Sequence, residues 1–183
     1  GVSILPDYKY IIIDEAHNIE HVADEHFGLD ISEGRVSFVL NGLYNSKTKK
    51  GLLARGEYAE AAELVKDCQK AGTEFFKAVD KWFQNNRGNG STSPGFVEDN
   101  LSGQLRKLRL NVAGLKEKSD DADEKFEIER FVELLGGLEA GIKSFLAHDD
   151  KDYIYWVESD KSKRRNVALQ TAPIDPAASI KQC

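Results

Sequence analysis

Methionine is absent from the 183 residues, and position 1 is Gly1. Because a full-length protein normally begins with methionine, we expect this sequence to be a piece of a longer one. Cysteine is nearly absent as well, with Cys68 and Cys183 as the only two. Two distant cysteines exclude a cysteine-ligated metal cluster and a disulfide framework, and they favour a reducing, cytoplasmic compartment.

Long apolar runs are also missing. No stretch approaches the roughly 20 residues needed to span a membrane, and no basic region followed by an apolar one marks a signal peptide. With 31% charged and 40% hydrophobic residues, the composition predicts a soluble globular protein without a membrane partner.

Basic residues are not in excess either. The net charge of -6 argues against a general nucleic-acid coat, although local basic patches fit it.

The most informative stretch lies near the N-terminus, where three isoleucines at positions 11–13 stop at Asp14 and Glu15. Such a β-branched run is typical of a strand that is buried on both faces. The two acids would then lie at the carboxyl edge of a sheet, where open α/β folds bind ligands. A simpler interpretation is that Asp14 caps the helix that follows.

The middle of the chain has helical periodicity. Apolar stripes predict helices at about residues 19–27, 32–43, 57–86, 101–115 and 121–145, and a polar stretch at 85–95 predicts a flexible loop. Residues 153–157 and 167–170 predict a hairpin, and Pro176 begins a short helix. The predicted fold is mainly α, with antiparallel helices, a short N-terminal strand at 9–13 and a C-terminal hairpin. We expect domain boundaries at 1–28, 29–150 and 151–183.

The two ends together resemble the DinG/XPD family of DNA helicases. Asp14-Glu15-Ala16-His17, preceded by the isoleucines and followed by Asn18-Ile19-Glu20, resembles the family's motif II, a DEAH box. Tyr155-Trp156-Val157-Glu158, followed by Val167 to Asp175, resembles the segment that re-enters the first motor domain. Between these points the family inserts a helical arch domain. The resemblance implies a fragment of an ATP-dependent, 5′-to-3′ DNA helicase of DNA repair and replication. In it the strand and hairpin are left over from an α/β motor, and the arch helps to guide single-stranded or forked DNA.

The resemblance also implies roles for three residues. Asp14 would hold the Mg²⁺ of bound ATP, Glu15 would orient and deprotonate the attacking water, and His17 would couple the nucleotide site to the rest of the motor. An iron–sulfur cluster, where the family has one, is bound upstream of motif II. No Gly-x-x-x-x-Gly-Lys-Ser/Thr phosphate loop occurs in this sequence. We therefore expect the isolated chain to bind no cofactor and to be inactive.

Other patterns leave alternatives open. His17, His21 and His26 have helical spacing that metal sites use, but no fourth ligand lies in register, so solvated surface histidines are the preferred interpretation. A helical protein-interaction module with a fortuitous DEAH tetrad is a second function. Three basic clusters are candidate DNA contacts, or else solvated surface: Lys47, Lys49 and Lys50; Arg106, Lys107 and Arg109; and Lys161, Lys163, Arg164 and Arg165.

Overall fold

The computed structural model describes residues 28–54, 56–87, 89–160 and 166–175. The strand predicted at 9–13, the helix predicted at 19–27 and the short helix predicted after Pro176 lie outside these residues. The described elements are a strand β1 (Asp30–Ser32), four α-helices and a hairpin of β2 (Tyr153–Asp160) and β3 (Asn166–Pro173). The helices are α1 (Glu33–Leu43), α2 (Ala59–Asn85, after a 3-10 turn at Gly56–Tyr58), α3 (Ser102–Leu115) and α4 (Ala122–Ala147). The prediction of a mainly helical fold with a small hairpin is confirmed.

Local sequence signals account for the helix ends. The Ser32 hydroxyl accepts a hydrogen bond from Arg35 N at 3.1 Å, which satisfies an otherwise unpaired amide in the first turn of α1. Asp121 caps α4 in the same way, since its carboxylate accepts from Asp123 N at 2.9 Å. At its other end, α4 stops where His148 takes a left-handed conformation with φ 52°. The predicted stripes are the buried faces of these helices.

Two pairs of consecutive helices, α1 with α2 and α3 with α4, run antiparallel, as the sequence predicted. Along α1 and α2, Val36 lies beside Gly72, whereas Asn41 bonds Gln69. Along α3 and α4, Arg109 pairs with Glu139 and the residue after α3, Lys116, pairs with Glu129. In both pairs the numbering rises on one helix as it falls on the other. Each helix thereby buries a stripe that it cannot bury alone.

The hairpin gains a third strand that the sequence analysis did not predict. The strand order is β1-β3-β2, and both pairings are antiparallel. Leu169 at the centre faces Ile31 on one side and Val157 on the other. These three side chains belong to the same buried cluster as the helical stripes. The core is therefore continuous between the helices and the hairpin.

The polar stretch predicted as a flexible loop lies against the edge of β2. Gly90 O accepts from Val157 N at 2.8 Å, and Thr92 N donates to Tyr155 O at 3.2 Å. A Cβ at Gly90 would lie 2.1 Å from Val157 O, so only glycine permits this approach. The segment thus covers a strand edge that would otherwise expose unpaired backbone groups.

The residues just before β1 and just after β3 lie at the same end of the sheet. Leu29, just before β1, exchanges two hydrogen bonds with Thr171: Leu29 N donates to Thr171 Oγ1 at 2.8 Å, and Thr171 N donates to Leu29 O at 3.0 Å. Just after β3, Ile174 N donates to Asp152 O at 2.7 Å. Among the described helices, none has the length and apolar content that crossing a membrane requires.

Candidate nucleic-acid interface

The residues of the DEAH box fall in a part of the chain that the structure does not describe. Asp14, Glu15 and His17 lie in that part of the chain, and so do His21 and His26. Their roles remain predictions from the sequence. Within residues 28–54, 56–87, 89–160 and 166–175, no group of three or more histidine, cysteine, aspartate or glutamate side chains could hold a metal ion.

The first basic cluster lies on a tight turn immediately after α1. The Asn45 carboxamide organises this turn, because its Oδ1 accepts from Lys47 N at 3.0 Å and from Thr48 N at 3.1 Å. The backbone closes it, since Asn45 N donates to Lys50 O at 2.8 Å and Lys49 N donates to Asn45 O at 2.8 Å. Lys49 has a φ of 55°, a left-handed conformation. The turn is hydrogen-bonded throughout and holds three lysines close together.

All three lysine side chains of this turn are exposed. An ammonium group on a flexible stem binds phosphate as a point charge and does not read sequence. Three such groups on one hydrogen-bonded turn can therefore contact phosphates of a nucleic-acid strand, with an affinity that falls as salt is added. The sequence prediction of a basic patch at Lys47, Lys49 and Lys50 is compatible with this geometry.

The second basic cluster divides into two exposed residues and one ion-paired residue. Arg106 and Lys107 are exposed on α3. Arg109 is half-buried, and its Nε donates to Glu139 Oε2 at 3.1 Å. Glu139 also accepts from Lys143 Nζ at 2.7 Å. We infer that Arg109 chiefly stabilises the contact between α3 and α4, a role that the sequence pattern did not reveal.

The buried carboxylate of this ion pair has a shifted pKa. Burial alone would raise the pKa of Glu139, but the hydrogen bonds and charges of Lys143 and Arg109 outweigh burial and lower it. Glu139 is therefore ionised at neutral pH and holds both cations.

In the third cluster, Lys161, Lys163, Arg164 and Arg165 lie outside the described residues.

A polar groove between α1 and α2 adjoins the lysine turn and was not predicted from the sequence. Its volume is about 310 Å³, and the buried side chains of Val36, Leu40 and Phe76 form its floor. Lys47 belongs to its lining, so the groove and the lysine turn are contiguous. We call it the α1–α2 groove; its polar lining comprises Glu33, Ser37, Asn41, Asn45, Ser46, Lys47, Gln69 and Thr73.

Two carboxamides pair across this groove. Gln69 Nε2 donates to Asn41 Oδ1 at 3.3 Å and to Tyr44 O at 3.4 Å. Farther along the groove, burial and the nearby charge of Asp80 raise the pKa of Glu33, while Lys77 opposes them. The groove therefore carries a lysine on the turn after α1 and a carboxyl in the first turn of α1. Polar residues on exposed helix faces are common, so nothing in the sequence indicated that these would converge.

No protein-family model matches the chain, and no curated protein matches it in sequence.

Proposed function

We propose that this chain belongs to a DinG/XPD-type, ATP-dependent DNA helicase and comprises its DEAH-box segment followed by a helical arch that guides single-stranded DNA. The observation that carries the proposal is that Leu29, where the helical segment begins, adjoins the hairpin to which the other end of that segment leads. Leu29 is hydrogen-bonded to Thr171, three residues before Ile174. A unit whose two ends adjoin can be inserted into a host domain without disturbing it.

The DEAH-box residues supply the catalytic part of the proposal. By resemblance, the Asp14 carboxylate binds the Mg²⁺ of ATP, Glu15 positions and deprotonates water, and His17 links the nucleotide site to the motor. A metal clamp and a group that positions the nucleophile are what phosphoryl transfer requires. The remainder of the motor and single-stranded or forked DNA are the proposed partners. The low cysteine content and the buried thiol of Cys68 support a cytoplasmic location.

Because the sequence contains no phosphate loop, the 183-residue chain alone is expected not to hydrolyse ATP. Phosphate release from the purified chain, measured with and without single-stranded DNA, tests this expectation. DNA-stimulated turnover that disappears in Glu15→Gln would contradict it.

The lysine turn supplies the DNA-facing part of the proposal. Lys47, Lys49 and Lys50 are exposed on a turn fixed by Asn45. An arch that fences a moving strand needs weak contacts to the phosphates rather than tight contacts to particular bases. The turn provides such contacts within a chain whose net charge is -6.

Charge reversal tests whether the turn contacts DNA. Affinity of the chain for a labelled single strand is measured by fluorescence anisotropy at low salt. Replacing Lys47, Lys49 and Lys50 by glutamate is expected to weaken binding at least about tenfold. The matched control replaces Lys81, Lys118 and Lys151, three exposed lysines on other elements, and changes net charge equally. Equal losses in the two variants would show a general charge effect and would contradict a DNA contact at the turn.

A further inference from the structure

We propose that the α1–α2 groove receives one unpaired base of a single strand whose phosphates contact Lys47, Lys49 and Lys50. This inference rests on the proposed function and deepens it, because it gives the strand a second point of contact. Such a site would bind unpaired bases in general and would not select a particular sequence.

Contiguity and charge fix the direction in which a nucleotide would lie. Lys47 lines the groove and also belongs to the lysine turn, so a phosphate bound at the turn has its own base within reach of the groove. Toward the start of α1 the groove carries Glu33, and Asp80 acts on it electrostatically. The Glu33 carboxyl disfavours phosphate at this end but can accept a hydrogen bond from the amino group of a base. The phosphate is thereby directed to the lysines and the base to the interior of the groove.

The carboxamide pair supplies groups that match the edge of a base. Gln69 Nε2 and Asn41 Oδ1 are used in bonding to each other and to Tyr44 O. Across the described residues, no hydrogen bond engages Asn41 Nδ2 or Gln69 Oε1, so one donor and one acceptor of the pair remain available. Every DNA base carries an adjacent donor and acceptor on its Watson–Crick edge, and in duplex DNA that edge is occupied. The pair therefore suits any unpaired base and excludes a paired one.

The dimensions agree with a single base. The groove volume of about 310 Å³ lies at the lower limit of small-molecule sites, which span about 300–1,000 Å³. Ser37 and Thr73 are exposed at its rim and can bond to sugar or water. The apolar floor of the groove, formed by Val36, Leu40 and Phe76, would contact the face or edge of the planar nucleobase.

Comparison of normal and abasic strands tests the inference. The 183-residue chain is titrated with a labelled oligonucleotide of about 15 nucleotides and with a uniformly abasic oligomer of equal length and charge. We expect the strand with bases to bind about three- to tenfold more tightly, as one or two net hydrogen bonds would give. In Asn41→Leu with Gln69→Leu, that preference is expected to vanish while the abasic strand binds unchanged.

Two further variants make the result specific. Gln104→Leu with Asn111→Leu changes the same two residue types on α3 and is expected to retain the preference. If the leucine variant of the groove fails to fold by circular dichroism, Asn41→Asp keeps the side-chain shape but loses the Nδ2 donor. For that variant, the quantity compared is the ratio of the affinity for the normal strand to the affinity for the abasic strand.

The outcomes separate this inference from the function on which it rests. Equal binding of normal and abasic strands, or a preference that survives loss of the carboxamides, would overturn the groove assignment and leave the phosphate contacts standing. A chain that binds neither strand would overturn both proposals.

Discussion

At the residue scale, Cys68 shows how a buried position controls chemistry. It lies on the apolar stripe of α2 and is 1% exposed. Burial, reinforced by the charge of Asp67 and opposed by that of Lys107, raises the pKa of the Cys68 thiol to about 12. The thiol is therefore protonated and inert at neutral pH.

This state predicts slow thiol modification and a loss of stability at high pH. In a Cys183→Ser variant, alkylation near pH 8.5 is expected to be at least about 100-fold slower in native protein than in denaturant. Because the pKa is higher in the folded state, the unfolded thiol ionises first. The free energy of unfolding should then fall as pH rises above about 9. Equal alkylation rates in native and denatured protein would contradict the burial of Cys68.

Glu139 predicts the opposite dependence on pH. Its pKa is lowered in the fold by Lys143 and Arg109, which outweigh burial. Its contribution to stability is thus complete at neutral pH and is lost as pH falls through and below the unfolded pKa of about 4.3. Glu139→Gln should cost about 1–2 kcal/mol near pH 7 and little in acid, measured by urea unfolding.

Glu129→Gln is the control for Glu139→Gln. Glu129 also forms an interhelical ion pair, with Lys116, but its side chain is 52% exposed. Exposed pairs contribute little, so this change should cost less than about 0.5 kcal/mol. Equal costs for the two variants would show that burial of Glu139 does not matter.

At the scale of elements, two glycines one turn apart in α4 make opposite predictions. A Cβ at Gly141 would lie 2.6 Å from Ile31 Cδ1 of β1, whereas a Cβ at Gly137 meets nothing within 4 Å. Gly137→Ala should stabilise the protein by up to about 1 kcal/mol through helix propensity. Gly141→Ala should destabilise it by about 1–3 kcal/mol through overpacking. Thermal unfolding measures both, and stabilisation by Gly141→Ala would argue against the seating of β1 on α4.

The sequence predicted the helices because their stripes are long and regular. The boundaries of α1 and α3 were predicted closely, since Ser32 and the leucine seam mark them. It did not predict β1, because a strand of three residues has no period and forms only through pairing with β3. The approach of Gly90 to Val157 could not be predicted either, because it joins residues that are far apart in the sequence.

The candidate site could be predicted only in part. Lys47, Lys49 and Lys50 form a visible cluster in the sequence. Gln69 lies on the polar side of α2 and gave no signal, because its partner Asn41 is 28 residues away. Arg109 could not be separated from Arg106 and Lys107 without knowing that Glu139 opposes it.

At the scale of the whole molecule, the continuous core predicts cooperative unfolding of helices and hairpin. Tyr155, Val157 and Leu169 belong to the same buried cluster as the helical stripes. In a Trp82→Phe variant, fluorescence of Trp156 reports on β2 while circular dichroism reports on the helices. Their denaturation midpoints are expected to coincide. Separate midpoints would instead support the domain boundary at residue 150 that the sequence predicted.

The proposed role of the lysine turn is to guide a single strand by contacting its phosphates. The salt dependence of single-strand affinity measures this most directly, because each phosphate contact contributes about 0.7 to the slope of log affinity against log salt. Replacing Lys47, Lys49 and Lys50 by glutamine should reduce the magnitude of that slope by about two. An unchanged slope, or a chain with no measurable affinity for single strands, would contradict the claim.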